Sequence, residues 1–282
     1  MDKLCDLHTH SIYSDGTHSP AQLISQAEQI GLCAVALTDH NTVAGLPDFL
    51  SAGENSRVDT IPGIEFSTDY LDTELHIVTL FVQPEHYAAI TELTDEMNKR
   101  KQQSNLDLIA RLNKAGYAIS YERIKASMPQ GEPNRALIAA ELTRMGYTAS
   151  NLEAFKTLLG TKCGYYHPPK RVGVFELIGF VRSMGMVPIL AHPFLSIKET
   201  SALADFLKKG AACGLQGIET RYSTFSPEQT LVLEEMAQQF GLSQSGGSDF
   251  HGENKPDIRL GCGKGDLKVP ISFLEDLRSR RR

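Results

Sequence analysis

Short apolar runs that end in histidines and carboxylates recur along this chain, and helical patterns separate most of them. Residues 4 to 8 read as a strand that runs into a polar loop. A helix over residues 20 to 30 follows, and its start is well marked. Ser19 suits the cap, Pro20 the first turn and Gln22 a capping box, while Leu23, Ile24, Ala27 and Ile30 share one face and Gly31 stops the run. Residues 34 to 37 are then a buried strand ending at Thr38, Asp39 and His40. This is one β-α-β unit with polar residues at the strand's carboxyl end, where open sheets and barrels keep their active sites. Strands near residues 63 to 67, 75 to 82, 187 to 191, 217 to 222 and 243 to 247 continue the pattern, with helices at about 174 to 184, 202 to 213 and 227 to 240. That order is expected of a mostly parallel α/β barrel.

The alternation stops in the middle of the chain. A long helical pattern spans about residues 84 to 115 and ends at Gly116, and shorter helical pieces follow near 134 to 145 and 151 to 159. We read residues 97–171 as a helical, basic insertion that caps the substrate, and residues 1–96 and 172–282 as the barrel. The charge divides in the same way. Residues 97 to 171 hold thirteen Lys and Arg against five acids, a net +8, which leaves −14 on the rest of a chain whose formal charge is −6. Such a split predicts a basic surface beside an acidic, cation-binding body.

Six of the nine histidines, His8, His10, His40, His76, His192 and His251, fall at predicted strand ends beside carboxylates. In His8-Thr9-His10 the two-residue spacing points both rings the same way along an extended strand. Asp15 follows in Ser14-Asp15-Gly16, Glu65 ends Pro62-Gly63-Ile64-Glu65, and Asp249 and His251 close Gly246-Gly247-Ser248-Asp249-Phe250-His251. Neutral imidazoles together with carboxylates favour zinc, manganese or iron over calcium. Each group alone has a plainer reading. A His-x-His pair can sit in a core or on a surface, Asp39 can cap a helix, His192 can be a satisfied loop residue before Pro193, and the paired glycines can serve backbone geometry. The weight lies in coincidence: five strand ends each deliver a ligand-type residue, and barrel closure brings those ends to one face. His18, His86 and His167 lie elsewhere and read as solvated or structural. Asp6 and Asp39 read either as acceptors for ligand imidazoles or as hydrogen-bonded loop carboxylates.

These stretches, with Asp6-Leu7-His8-Thr9-His10, Thr38-Asp39-His40, Ala191-His192-Pro193 and Gly217-Ile218-Glu219, resemble the polymerase and histidinol phosphatase (PHP) family of metal-dependent phosphoesterases. The resemblance implies an α/β fold, a distorted (β/α)7 barrel with a helical insertion, and two to three divalent ions (Mn, Fe or Zn) at the strand carboxyl ends. Carried over by position, one ion takes His8, His10, Glu65 and Asp249, a second Asp15, His40 and His251, and a third Glu65, His76 and His192. Asp15, His192 and Asp249 are the expected catalytic residues. The insertion resembles that of nucleotide-directed members, which implies a nucleoside 3′,5′-bisphosphate or 5′-monophosphate as substrate. Asn134-Arg135 stands where a Gly-Arg-Pro-His pattern is commoner. The alternatives are a histidinol-phosphate phosphatase and a 5′ to 3′ exonuclease on short oligoribonucleotides.

The expected chemistry follows. Six positive charges from three ions exceed the three negative ones of Asp15, Glu65 and Asp249, so the site attracts phosphate and hydroxide, and a hydroxide bridging two ions attacks phosphorus in line. Arg135, Lys162 and Arg221 are the candidates for holding substrate phosphates. Tyr117, Tyr121, Tyr147, Tyr165 and Tyr166 lie in the insertion, either to stack on a base or to pack at helix ends. A net negative charge argues against coating long nucleic acid, so the expected partner is a small phosphorylated molecule or a short oligonucleotide. No run of about 18 apolar residues occurs and the start at Met1, Asp2 and Lys3 lacks a leader pattern, so no membrane association and a cytoplasmic location are expected. The five scattered cysteines predict neither disulfides nor a thiolate zinc site, and most read as buried small hydrophobes.

Overall fold

The computed structural model describes residues 3 to 126 and 133 to 281; Met1, Asp2 and the Glu132 of the charge count lie outside them. Eight strands form: β1 (Cys5–Asp6), β2 (Ala34–Leu37), β3 (Asp59–Tyr70), β4 (Thr73–Leu80), β5 (Val172–Gly173), β6 (Val187–Leu190), β7 (Gly217–Tyr222) and β8 (Ser243–Gly247). They pair in the order β1-β2-β3-β4-β6-β7-β8, with the short β5 added to β3. Leu7 N donates to Gly246 O at 3.1 Å and His10 N to Phe250 O at 2.9 Å, which ties the last segment to the first and curls seven strands into a barrel.

All neighbours run parallel except the two pairs made by β4. The cause is local. Leu71 and Asp72, with φ of 51° and 61°, form a two-residue turn of the twisted kind that suits hairpins, so β3 returns at once as β4 with no crossover helix. β2 (AVAL) and β6 (VPIL) are buried throughout, as expected of parallel strands covered on both faces. Inside the barrel Ala36, Ile61, Val78, Ile189 and Val269 pack with Leu274 and Leu277 of the helix Ile271–Ser279. Each buried Ile, Val or Leu side chain among these contributes about 1.5–3 kcal/mol.

Ser19 and Gln22 form the capping box of the helix Pro20–Gln29, and Ser226 and Gln229 repeat it on the helix Pro227–Gln239. Four α-helices among the described residues escape the sequence pattern, Tyr121–Ala126 and Pro193–Ser196 of one to two turns and two others. Leu46–Gly53 is short and starts at Gly45 without a side-chain cap, and Ile271–Ser279 starts at Pro270, also without one. Among the five cysteines only Cys5 is buried; Cys33, Cys163 and Cys262 are partly covered and Cys213 is exposed, contrary to the expectation of burial. The difference is one of position, since Cys5 sits on an interior strand and Cys213 at a helix end. No described helix is long and apolar enough to cross a membrane.

Residues Met1–Thr91 and Arg171–Arg282 form one compact unit and Glu92–Lys170 a second. The second is helical, built from most of the helix Tyr87–Lys114 with Tyr121–Ala126, Arg135–Arg144, Asn151–Ala154 and a π turn over Phe155–Leu159. It has its own core of Leu108, Leu112, Ile124, Ile138, Leu142 and Leu159, among others. Asn134 and Ser150 cap two of its helices by accepting from Leu137 N and Glu153 N. Its tyrosines pack: Tyr166 is in that core, and Tyr117 stands edge-on to Tyr147 and Tyr165 with ring centres 5.5 and 6.3 Å away.

Candidate metal centre

Every strand of the closed barrel feeds a residue to the same end, and all but one do so along their forward direction. His8 and His10 follow β1, His40 follows β2, Glu65 lies in β3, His192 follows β6, Glu219 lies in β7, and Asp249 and His251 follow β8. The exception is β4, which runs the other way and so delivers His76 from near its beginning, opposite Ser67 of β3. Simple alternation of strand and helix would have placed that residue at the wrong end; the tight hairpin places it at the right one.

Glu65, fully buried, is the hub. Its Oε2 lies 3.3 Å from His8 Nε2, 3.4 Å from His10 Nε2 and 2.9 Å from His40 Nδ1, while Oε1 lies 2.9 Å from His76 Nδ1 and 3.0 Å from His192 Nε2. Asp249 Oδ1 is 3.2 Å from His10 Nε2 and 3.5 Å from His251 Nδ1. Asp15 Oδ1 is 3.2 Å from His251 Nε2, and its Oδ2 is 3.8 Å from His40 Nε2. The ligand-type atoms gather into four overlapping groups: His10, Asp15, His40 and His251; His8, His10 and Asp249; His8, Glu65 and His192; His40, Glu65 and His76. All nine residues named from the sequence as ligands are therefore in one cluster. The groups share His8, His10 and His40, where the sequence reading gave each histidine to a single ion.

Backbone geometry is bent to make this cluster. His192 and Asp249 both have positive φ, 29° and 58°, values unusual for side chains other than glycine's and held here by the surrounding packing. A side chain at Gly247 would collide with His8, which gives the paired glycines of β8 a steric reason. Asp39 accepts from Ser11 N (2.7 Å), Ser11 Oγ (2.6 Å) and Ser14 Oγ (2.6 Å), and Asp6 accepts from Ser248 N (2.9 Å), Ser248 Oγ (2.5 Å) and Gly261 N (2.8 Å). Both are thus loop-ordering carboxylates. Burial pushes each above the usual aspartate value, against the pull of these donors.

The acceptor for a ligand imidazole is instead Glu219, 2.8 Å from His8 Nδ1. Such a bond fixes the ring and aims Nε2 into the cluster. Tyr222 OH donates to Asp249 Oδ2 at 2.7 Å, and Lys255 Nζ to the same oxygen at 2.6 Å, which leaves Oδ1 for the cluster. Glu219 was legible only as part of a signature, and Tyr222 and Lys255 not at all. A lone lysine in a loop carries no pattern.

The electrostatics form one coupled system. Burial disfavours charge on every member, but Lys255 and His251 hold Asp249 well below the usual carboxylate range, and His251 and His40 do the same for Asp15. Burial and the neighbouring His251 and His40 rings push His10 well below the ordinary imidazole value. Burial opposes charge on His76 as well, yet Glu65 outweighs it and lifts that ring to about 10. Five buried atoms, His8 Nε2, His10 Nε2, His40 Nδ1, Glu65 Oε2 and His192 Nδ1, make no hydrogen bond of good geometry, although the first three lie within 3.4 Å of Glu65 Oε2. Orphaned polar atoms on this scale are costly. Nitrogen and oxygen lone pairs converging in groups of three and four are a donor set that a divalent transition ion fits.

The three substrate candidates lie apart from that cluster or outside its unit. Arg221 pairs with Glu234 at 2.5 Å and lines a groove with Lys3 and Lys268, while the next residue, Tyr222, faces Asp249. Arg135 and Lys162 belong to the helical unit. The Arg135 guanidinium stands 4.3 Å from the centre of the Tyr166 ring and 5.9 Å from that of Phe155, and Lys162 is exposed.

A barrel whose strand ends gather imidazoles and carboxylates around lone-pair-lined space belongs to the metal-dependent hydrolases in architecture. The model of the PHP domain matches residues 6–163 of this chain. The chain belongs to the PHP family and is a metal-dependent phosphoesterase. It is 30% identical over 251 residues to a 5′-3′ exoribonuclease of Haemophilus influenzae, covering 89% of this chain and 91% of that one. It is 31% identical over 264 residues to a phosphoribosyl 1,2-cyclic phosphate 1,2-diphosphodiesterase of Eggerthella lenta, covering 88% and 94%. A crystal structure from Bifidobacterium adolescentis, described as a metal-dependent phosphoesterase, superposes with a TM-score of 0.85 at 26% identity, covering 99% of this chain and 97% of that one.

Proposed function

We propose that this protein hydrolyses phosphate esters carried on ribose, with a nucleoside 3′,5′-bisphosphate or 5′-monophosphate as the substrate type. The observation that carries the metal part is the convergence of ligand-type atoms from nine residues in one cluster, with the buried His8 Nε2, His10 Nε2, His40 Nδ1 and Glu65 Oε2 making no hydrogen bond there. His8, His10, Asp15, His40, Glu65, His76, His192, Asp249 and His251 would hold two to three divalent ions, manganese, iron or zinc. When bound, such ions supply positive charge for the phosphoryl oxygens and acidify water near neutral pH.

The chain's own residues do the rest. Glu219 keeps the His8 proton on Nδ1 and the lone pair on Nε2. Tyr222 and Lys255 turn Asp249 so that one oxygen faces inward. Arg135, Lys162 and Arg221 are proposed to hold phosphates, and the basic helical unit to cap the substrate. Two features support ribose phosphates: the concentration of Lys and Arg in residues 97 to 171, and two relatives whose names both refer to ribose esters. The exoribonuclease relative also favours a second reading, 5′ to 3′ exonuclease action on short oligoribonucleotides. A cytoplasmic location belongs to the same proposal, since such substrates reside there.

The test is a screen of chelator-stripped protein reloaded in turn with manganese, iron and zinc. AMP, a 3′,5′-bisphosphate, a short RNA and histidinol phosphate serve as substrates. Turnover of the nucleotides in a loaded form and none in the stripped form is expected. Turnover of histidinol phosphate alone would overturn the ribose assignment.

A further inference from the structure

Among the charged side chains at the cluster, Lys255 is the least covered. Its side chain is 40% exposed, while that of Asp249 beside it is 7% exposed. It nonetheless stands on a firm base. Gly252–Asn254 forms a tight turn, Lys255 N donates to Gly252 O at 3.1 Å, Asn254 Nδ2 to Asp15 O at 2.8 Å, and Glu253 N to Thr17 Oγ1 at 3.0 Å. A side chain at Gly252 would collide with Thr17, so this turn fits closely against the loop that carries Asp15. The ammonium group is thereby fixed beside the acids of the cluster.

One of its three donors goes to Asp249 Oδ2, and Tyr222 OH donates to that same oxygen. The duplication separates two roles. Tyr222, itself buried, shares the work of keeping Asp249 turned, and the Lys255 ammonium, at the end of a side chain 40% exposed, has two further donors to offer a ligand. A compact cation with spare donors, held next to a phosphoesterase centre, is matched to a phosphoryl oxygen.

We propose that Lys255 is a phosphate-binding residue of the barrel itself, taking an oxygen of the substrate's phosphoryl group and of the phosphate released from it. This rests on the cluster's being the hydrolytic centre, so its test uses binding rather than turnover. Calorimetric titration with inorganic phosphate is done on manganese-loaded wild type, Lys255→Met and Lys255→Gln, with metal content measured on each. Lys264→Met, in an exposed loop, controls for the loss of a surface charge. The expected result is that both Lys255 variants bind phosphate about tenfold to a hundredfold more weakly at unchanged metal content, while Lys264→Met binds as wild type. Wild-type phosphate affinity in either folded Lys255 variant would overturn the proposal. Loss of metal from both would also overturn it, assigning Lys255 to the support of Asp249 alone. A failure of the ribose-ester reading would show separately, as an absence of nucleotide turnover by wild type.

Discussion

The barrel and the helical unit use charge in opposite ways. In the barrel, carboxylates and imidazoles are buried, mutually bonded and placed by strand ends, so moving any one leaves its partners unsatisfied. In the helical unit the cations are mostly exposed and several are paired locally, as Arg144 is with Glu141 at 2.7 Å and Arg100 with Glu96 at 3.0 Å. Chemistry that depends on position sits in the first, and a general attraction for anions is spread over the second. The division predicts that single substitutions will be nearly all-or-none in the barrel and graded in the helical unit.

The largest effect is expected from the ligands. His8→Ala and Asp249→Ala should each lower kcat by more than about 10³-fold, because several kcal/mol of transition-state stabilisation is lost with the ion. Bound metal, measured by elemental analysis, should fall in parallel. Retention of substantial activity in either variant would mean that the cluster is not the hydrolytic centre.

A smaller but still large effect is expected in the helical core. Leu142 is fully buried there, and Leu142→Ala should destabilise this unit by about 2–5 kcal/mol through lost burial and the cavity left behind. Denaturant unfolding followed by circular dichroism reads the loss. If the two units differ as argued, metal content should stay at the wild-type value; a metal-free variant would show that the two are not independent in this sense.

Glu219→Gln probes the layer behind the ligands. Loss of the carboxylate from His8 Nδ1 should cost about 10- to 100-fold in metal affinity or activity. Arg135→Ala comes next, with KM for a nucleotide raised about tenfold and kcat nearly unchanged, the value of one charge-assisted contact. An unchanged KM would leave Arg135 as a packing partner of Tyr166.

How far the sequence reveals each region follows from the same contrast. Strand geometry is strict, so His8-Thr9-His10 or Gly246-Gly247-Ser248-Asp249 states in a few residues both what is present and where it points. That the nine residues would meet in one cluster, and the barrel order, were legible for that reason. The antiparallel β4 was not, because its turn is Leu71-Asp72 and neither residue marks a hairpin as glycine would. The roles of Glu219 and Tyr222 were hidden because they act from elsewhere in the chain, 211 residues from His8 and 27 from Asp249, and Lys255, six residues from Asp249, is a lone loop lysine that carries no pattern. In the helical unit the helices themselves are legible from their periods. Which of its twelve basic residues meets a substrate is not, since an exposed lysine looks the same whether or not it is used.

The smallest effect tests whether exposed charge in the helical unit matters to its stability at all. Glu141 is buried, and its hydrogen bonds to Arg144 hold its carboxyl below the usual glutamate value, against the burial that would raise it. A carboxyl depressed in the folded state contributes stability that is present above its unfolded pKa and lost as pH falls through the folded one. Because the Arg144 side chain is 54% exposed, solvent screens the pair and the contribution should stay under about 1 kcal/mol. Glu141→Gln should therefore be slightly less stable than wild type at neutral pH, by urea midpoint, and the gap should narrow as pH falls below the ordinary glutamate value and close only once it has passed the lower folded value, where both side chains are uncharged. A gap that persists in acid would mean that the residue acts by shape rather than charge, and the contrast between the two units would then rest on packing and not on how each one holds its ions.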